Sequence, residues 1–186
     1  MSEVIELKTP LTTKDVEKLT VGDRVQLSGQ MYTGRDMVHR RFMELIEKGE
    51  TLPVDLEGQV LFYVGPAPAK PGYPIGSCGP TTSYRMDKFT PMLYERGLKA
   101  TIGKGKRSMD VRDAIKQYKG VYFVATGGVA ALLCKSIKSA RIVAYKDLAA
   151  EALRELVVES FPLTVGNDCY GGDIFEEGVR KYGTLD

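Results

Sequence analysis

The chain has one histidine, His39, and three cysteines, Cys78, Cys134 and Cys169, with no CxxC or Cys/His spacing among them. That scarcity argues against a zinc site and against a disulfide framework, so no metal ligand is expected from this chain. No apolar run approaches the ~20 residues that cross a bilayer. The start, Met1-Ser2-Glu3-Val4-Ile5-Glu6, has neither a basic region nor an apolar stretch of the kind a signal peptide needs, so the expected location is cytoplasmic. A charge excess is missing too: 26 Lys and Arg against 24 Asp and Glu leave +2, too little for the cationic field of a nucleic-acid binder. There is no internal repeat and no low-complexity tract. What remains, 186 residues of which 43% are hydrophobic, is enough for one domain with a real core, expected to run over 1–186.

Periodicity places the elements. Val25, Leu27, Gly29 and Met31 alternate with polar residues and predict a half-exposed strand leading into Thr33-Gly34-Arg35. Val60–Val64 and Val121–Ala125 are continuous apolar runs, fit for strands covered on both faces. Arg141–Tyr145 is a further short candidate. Leu156–Glu159 and Leu163–Val165 read as two late strands broken at Phe161-Pro162, with a helix over Asp147–Leu156 as the alternative for the first. Helical spacing joins Val38, Phe42, Leu45 and Ile46, with Asp36 as the expected cap and Gly49 as the stop. A second helix, with Val111, Ala114, Ile115 and Tyr118 on one face, is expected between Ser108 and Gly120. Thr90-Pro91 reads as the cap and first residue of a short helix ending at Gly97. Gly127-Gly128 reads as a strand–turn–helix corner. Strands and helices alternate through much of the chain, which predicts an α/β fold, with a mixed layered arrangement as the broader form. Gly65–Pro80, with five prolines and four glycines, is expected to be a long ordered loop.

Candidate chemistry collects at glycine turns: Thr33-Gly34-Arg35-Asp36, Gly79-Pro80-Thr81-Thr82 with Arg85, Gly103-Lys104-Gly105-Lys106-Arg107, and Thr126-Gly127-Gly128. Strand-end loops are where open α/β folds hold ligands. Arg35 and Arg85 can each fork onto a carboxylate, and Lys104 adds a point charge between two glycines that let a ligand approach. Two or three cations suit a dicarboxylate. Thr81 is the hydroxyl placed for proton transfer, and it needs cations and N–H donors to act as an alkoxide. Each residue also has a purely structural reading. Arg35 would pair with Asp36 or Glu44, and Arg85 with Asp87. Thr81 or Thr82 would cap a turn. Lys104, Lys106 and Arg107 would form a solvated face. The Gly127-Gly128 pair would serve packing, and His39 is read as a hydrogen-bonded structural histidine. GKGKRS lacks the Walker spacing, so phosphate binding is weakly signalled.

Together, TGRDMVHRR at 33–41, GPTTSYRMD at 79–87, GKGKRS at 103–108 and YFVATGGVAALL at 122–133 resemble the β subunit, or C-terminal catalytic domain, of the class I (iron–sulfur) fumarate hydratase and L-tartrate dehydratase family. The resemblance spans nearly the whole chain, loosely after Gly166. Tyr84 departs from the small residue expected before that arginine. The resemblance implies a single swivelling β/β/α domain, a mixed sheet with flanking helices as in aconitase-like enzymes. It implies a hydro-lyase that reversibly hydrates fumarate to L-malate, with Thr81 as the base at C3 of malate and Arg35, Arg85 and Lys104 on the carboxylates. It also implies a [4Fe–4S] cluster held by three cysteines of an α-subunit partner, which supplies the general acid as well, and an α2β2 or larger assembly. Fumarate is the favoured substrate. L-tartrate, a non-catalytic closing subunit, and a stand-alone anion-binding domain are the alternatives.

Overall fold

The structure is a computed structural model and describes residues 3–125 and 130–183. The strands are β1 (Ile5–Lys8), β2 (Arg24–Thr33), β3 (Val60–Phe62), β4 (Ala100–Gly103), β5 (Val121–Val124), β6 (Ile137–Ala144) and β7 (Leu153–Asn167). The helices are α1 (Thr13–Val16), α2 (Asp36–Glu47), α3 (Thr90–Glu95), α4 (Met109–Gln117), α5 (Ala130–Lys135) and α6 (Ile174–Tyr182). The sheet is mixed. β1 to β5 run parallel to their neighbours, and β7 runs antiparallel to β2, β5 and β6.

The long β7 closes the sheet. One edge pairs with β2 along most of its length. The other edge pairs first with β6 and then with β5. The circuit β2–β3–β4–β5–β7 therefore returns to β2, with β1 and β6 as flanking strands. Val25, Leu27 and Met31 belong to the same core as Val60, Phe62, Ile102, Phe123 and Val165. Phe62 and Phe161 meet there edge to face, 5.5 Å between centroids. Residues of opposite parity, Leu61, Tyr63 and Tyr122, join a second core with α2, α3 and α4. This explains the continuous apolar runs of β3 and β5: both strand faces are covered.

Several boundaries differ from those expected. β7 is one strand. Ser160, in the left-handed region at φ 49, sits where the register shifts opposite Ser28, and its N–H donates to Ser28 Oγ at 3.0 Å. This bulge absorbs the irregularity at Phe161-Pro162 without ending the pairing. No helix covers 147–156. A 3₁₀ turn spans Lys146–Glu151, and Ala149 at φ 51, ψ −110 stops it from continuing. Arg35, not Asp36, is the cap residue of α2. Thr90 lies inside α3, where its hydroxyl donates to the Met86 carbonyl at 2.9 Å and Phe89 takes the cap position. Ser108 caps α4 as expected, accepting from the Val111 N–H, but Lys119 supplies the left-handed residue after the helix. Gly120 has another use: a Cβ there would run into the Tyr94 ring. Residues 65–80 contain no helix or strand. The Gly127-Gly128 corner lies outside the described residues.

Candidate active site

The parallel strands β2, β3 and β4 end at the same edge of the sheet, and their following segments carry Arg35, Thr81 and Lys104. After β3 the chain makes its proline-rich excursion and returns to the same edge. The Thr81 N–H donates to the Tyr63 carbonyl at 2.7 Å. Thr82 then pairs in parallel with Lys104, and the Ser83 N–H donates to the Lys104 carbonyl at 2.9 Å. Backbone pairing thus sets Thr81 and Lys104 on adjacent segments.

The glycines beside Lys104 have separate roles. A Cβ on Gly103 would collide with Ser83 Oγ, so that glycine admits the 81–83 segment rather than a ligand. Gly105 turns the chain at φ +84, which a side chain would strain. The turn is held from below by Tyr122. Burial pushes its hydroxyl up, so it keeps its proton and donates to the Gly105 carbonyl at 2.9 Å. Ser83 Oγ lies 2.9 Å from the same Tyr122 oxygen.

Asp36 gathers the arginines. Its Oδ1 is 3.2 Å from Arg85 Nε, and its Oδ2 is 3.9 Å from Arg35 Nη2. Arg35 also faces Glu151 at 3.4 Å. Its partners are therefore Asp36 and Glu151, and the pairing weighed with Glu44 is replaced. The Arg35 side chain is 23% exposed, and among the described residues its Nε, like Asp36 Oδ2 and Glu151 Oε2, is buried without a hydrogen-bond partner. Arg85, 44% exposed, sits on a 3₁₀ turn over Ser83–Met86. Lys104 is exposed and Thr81 half-buried. Thr126, Gly127 and Gly128, also expected at this edge, lie outside the described residues.

Arg107 is the residue whose role the sequence reading missed. It lies in a charge run expected to be solvated, yet its side chain is fully buried. Its Nε donates to Asp87 at 2.7 Å, and further N–H groups donate to Thr101 at 3.0 Å, Thr90 at 2.9 Å and Tyr63 at 3.3 Å. Its guanidinium carbon stands 4.8 Å from the Tyr122 ring centroid. The other Asp87 oxygen accepts from the Ser108 N–H at 2.6 Å. Asp87 is thus committed to Arg107 and α4, which leaves Arg85 to Asp36. A faint signal existed: Tyr63 and Tyr122 fall in the two continuous apolar runs read as covered strands.

His39 is structural, as expected. Its Nδ1 lies 2.8 Å from the Arg35 carbonyl, and burial lowers its pKa from 6.5 to about 4. The neutral ring donates from Nδ1 to that carbonyl and so helps to hold the turn that presents Arg35. Among the described residues, no three His, Cys, Asp or Glu side chains gather to hold a metal ion.

Two arginines, a lysine and a threonine hydroxyl on the segments that follow the parallel strands define the class, a mixed α/β domain with a cationic face at its strand ends. Comparison with known proteins gives the particular family. The family model described as Fumarase C-terminus matches residues 1–178, and the chain belongs to that family. It is 37% identical over 181 residues to the anaerobic class I fumarate hydratase of Escherichia coli, covering 95% of this chain and 33% of that protein. It is 36% identical over 177 residues to fumarate hydratase 2 of Leishmania major, covering 93% of this chain and 31% of that protein. Against the putative L(+)-tartrate dehydratase subunit beta of Methanocaldococcus jannaschii it is 39% identical over 177 residues, with 92% and 91% covered. The chain thus spans about a third of the length of these fumarate hydratases and nearly all of the tartrate dehydratase subunit.

Proposed function

We propose that this chain is the β-type catalytic half of a class I fumarate hydratase, reversibly hydrating fumarate to L-malate with a separate α subunit. The observation that carries the reading is the Asp36 bridge. It brings two arginines together beside the segment in which Thr82, next to Thr81, pairs with Lys104. Arg35, Arg85 and Lys104 hold the two carboxylates of malate. Thr81 accepts the proton as the C3–H bond breaks. The electron pair forms the double bond, and the C2 hydroxyl leaves as water with a proton from the partner's acid. The carboxylate next to C3 gains negative charge in this step, and the cations oppose that charge where it develops.

The donors of this face suit anions, and no ligand set for iron is gathered among the described residues. In this reading the cluster is carried by the α subunit. When bound there, a [4Fe–4S] cluster supplies Lewis acidity toward substrate oxygens. The chain over 1–186 then acts as one swivelling β/β/α domain of aconitase-like type, within an α2β2 or larger cytoplasmic assembly.

L-tartrate is the second substrate to weigh, because the putative tartrate dehydratase subunit is matched over 91% of its length. The test is an anaerobic assay of this chain with its cluster-loaded α subunit, offering fumarate and L-tartrate separately. Malate formed only when both chains are present is the expected result. Oxaloacetate from tartrate alone would move the substrate and keep the mechanism. Firm association without turnover of either would favour a closing subunit, and tight dicarboxylate binding by this chain alone would favour a stand-alone binding domain.

A further inference from the structure

Three residues before Thr81, Cys78 meets Cys134 of α5 with 3.2 Å between the sulfurs. The two residues are 56 apart in sequence, so tertiary packing alone joins them. Cys78 is buried, and its Sγ lies 3.9 Å from the Ala130 carbonyl. Cys134 is half-buried, and its Sγ lies 2.9 Å from the Gly76 carbonyl and 3.0 Å from the Ala130 carbonyl. It also lines an open cavity of about 440 Å³ with Tyr73, Lys70, Ile75 and Lys135. The backbones are close as well: a Cβ on Gly79 would stand 3.2 Å from Ala130 Cβ. The hydratase chemistry proposed above uses neither thiol.

We propose that Cys78 and Cys134 form a two-electron oxidation site that closes to an intrachain disulfide on exposure to a small-molecule disulfide. The sulfurs need to approach by only about 1 Å to reach bonding distance. Access and burial set the order of events. Burial pushes the Cys78 thiol up, so it is the slower attacker, whereas Cys134 faces the cavity. The Cys134 thiolate attacks one sulfur of the reagent, forming a mixed disulfide and releasing one thiolate. Cys78 then loses its proton and attacks Cys134 Sγ, releasing the second thiolate. Two protein S–H bonds and the reagent S–S bond are broken, one protein S–S bond is formed, and the reagent leaves as two thiols. The product ties the proline-rich loop, at the entry to Thr81, to α5.

The test treats the reduced full chain with oxidised glutathione and reads intact mass, free thiols and linked peptides. The expected product is 2 Da lighter, retains the Cys169 thiol, joins the Cys78 and Cys134 peptides, and reverts with dithiothreitol. Closure should be at least about a hundredfold faster in the folded chain than in urea, because the fold supplies the effective concentration. Cys169→Ser should react like the wild type, and Cys134→Ser should not lose 2 Da. Amide exchange over residues 72–81 should slow in the oxidised chain. Three thiols persisting after treatment, a glutathione adduct on Cys134 that never resolves, equal rates in urea, or unchanged exchange would each overturn the proposal.

Discussion

Thr81 and Arg35 bear most of the proposed chemistry, and each makes a separable prediction. Thr81 is anchored through its backbone N–H, so removing its hydroxyl leaves the segment in place. Thr81→Ala is expected to lower kcat by about 10²–10⁴, the usual range for a lost acid–base group, with KM changed little. Steady-state kinetics of the reconstituted enzyme check this, and an unchanged kcat would remove Thr81 from the base role. Arg35 is held at the start of α2 beside Asp36 and Glu151, with its side chain partly exposed. Lysine keeps the charge and loses the fork, so Arg35→Lys is expected to raise KM about tenfold or more. Equal KM values in the two enzymes would count against a carboxylate contact. All four candidate residues were legible as residues from their glycine turns. Their partners were not, because Asp36, Asp87 and Glu151 could each have served several cations until the chain was folded.

Between elements, the buried Arg107–Asp87 pair joins the end of the 3₁₀ turn carrying Arg85 to the start of α4. Removing one charge from a buried pair strands the other, at a cost of about 3–5 kcal/mol. Asp87→Asn is therefore expected to destabilise the fold by about that amount in urea unfolding. A loss below about 1 kcal/mol would mean that Arg107 is satisfied by Thr90, Thr101 and Tyr63 without its carboxylate. Of the elements that position the site, β2, β3, β5, α2 and α4 were readable from periodicity and caps. β4 was not, because Ala100–Gly103 is short and ends in the same glycine-rich run that signalled a loop. The join within β7 was hidden by a proline that ordinarily interrupts pairing.

For the molecule as a whole, His39 gives stability an acid-sensitive component. The folded pKa is about 4 and the ordinary value 6.5, so between them the unfolded chain holds the extra proton. Stability from this group is intact above pH 6.5, falls as pH drops through that window, and has lost about 3 kcal/mol once pH reaches the folded value. Urea unfolding across that range should show a slope of up to about 1.4 kcal/mol per pH unit that His39→Asn lacks. Matching slopes in the two proteins would rule this out.

The amino-acid order by itself determined the alternation of strands and helices, the glycine turns that carry cations and a hydroxyl, and the lack of a metal-ligand spacing. These are local properties, written in periods of two and 3.6 and in the special backbone needs of Gly and Pro. Tertiary structure decided the rest. It closed the sheet through β7, buried Arg107 against Asp87, bridged Arg35 to Arg85 through Asp36, and set Cys78 against Cys134. Each of these joins groups distant in sequence, and which charge or thiol meets which is settled only when packing removes the alternatives.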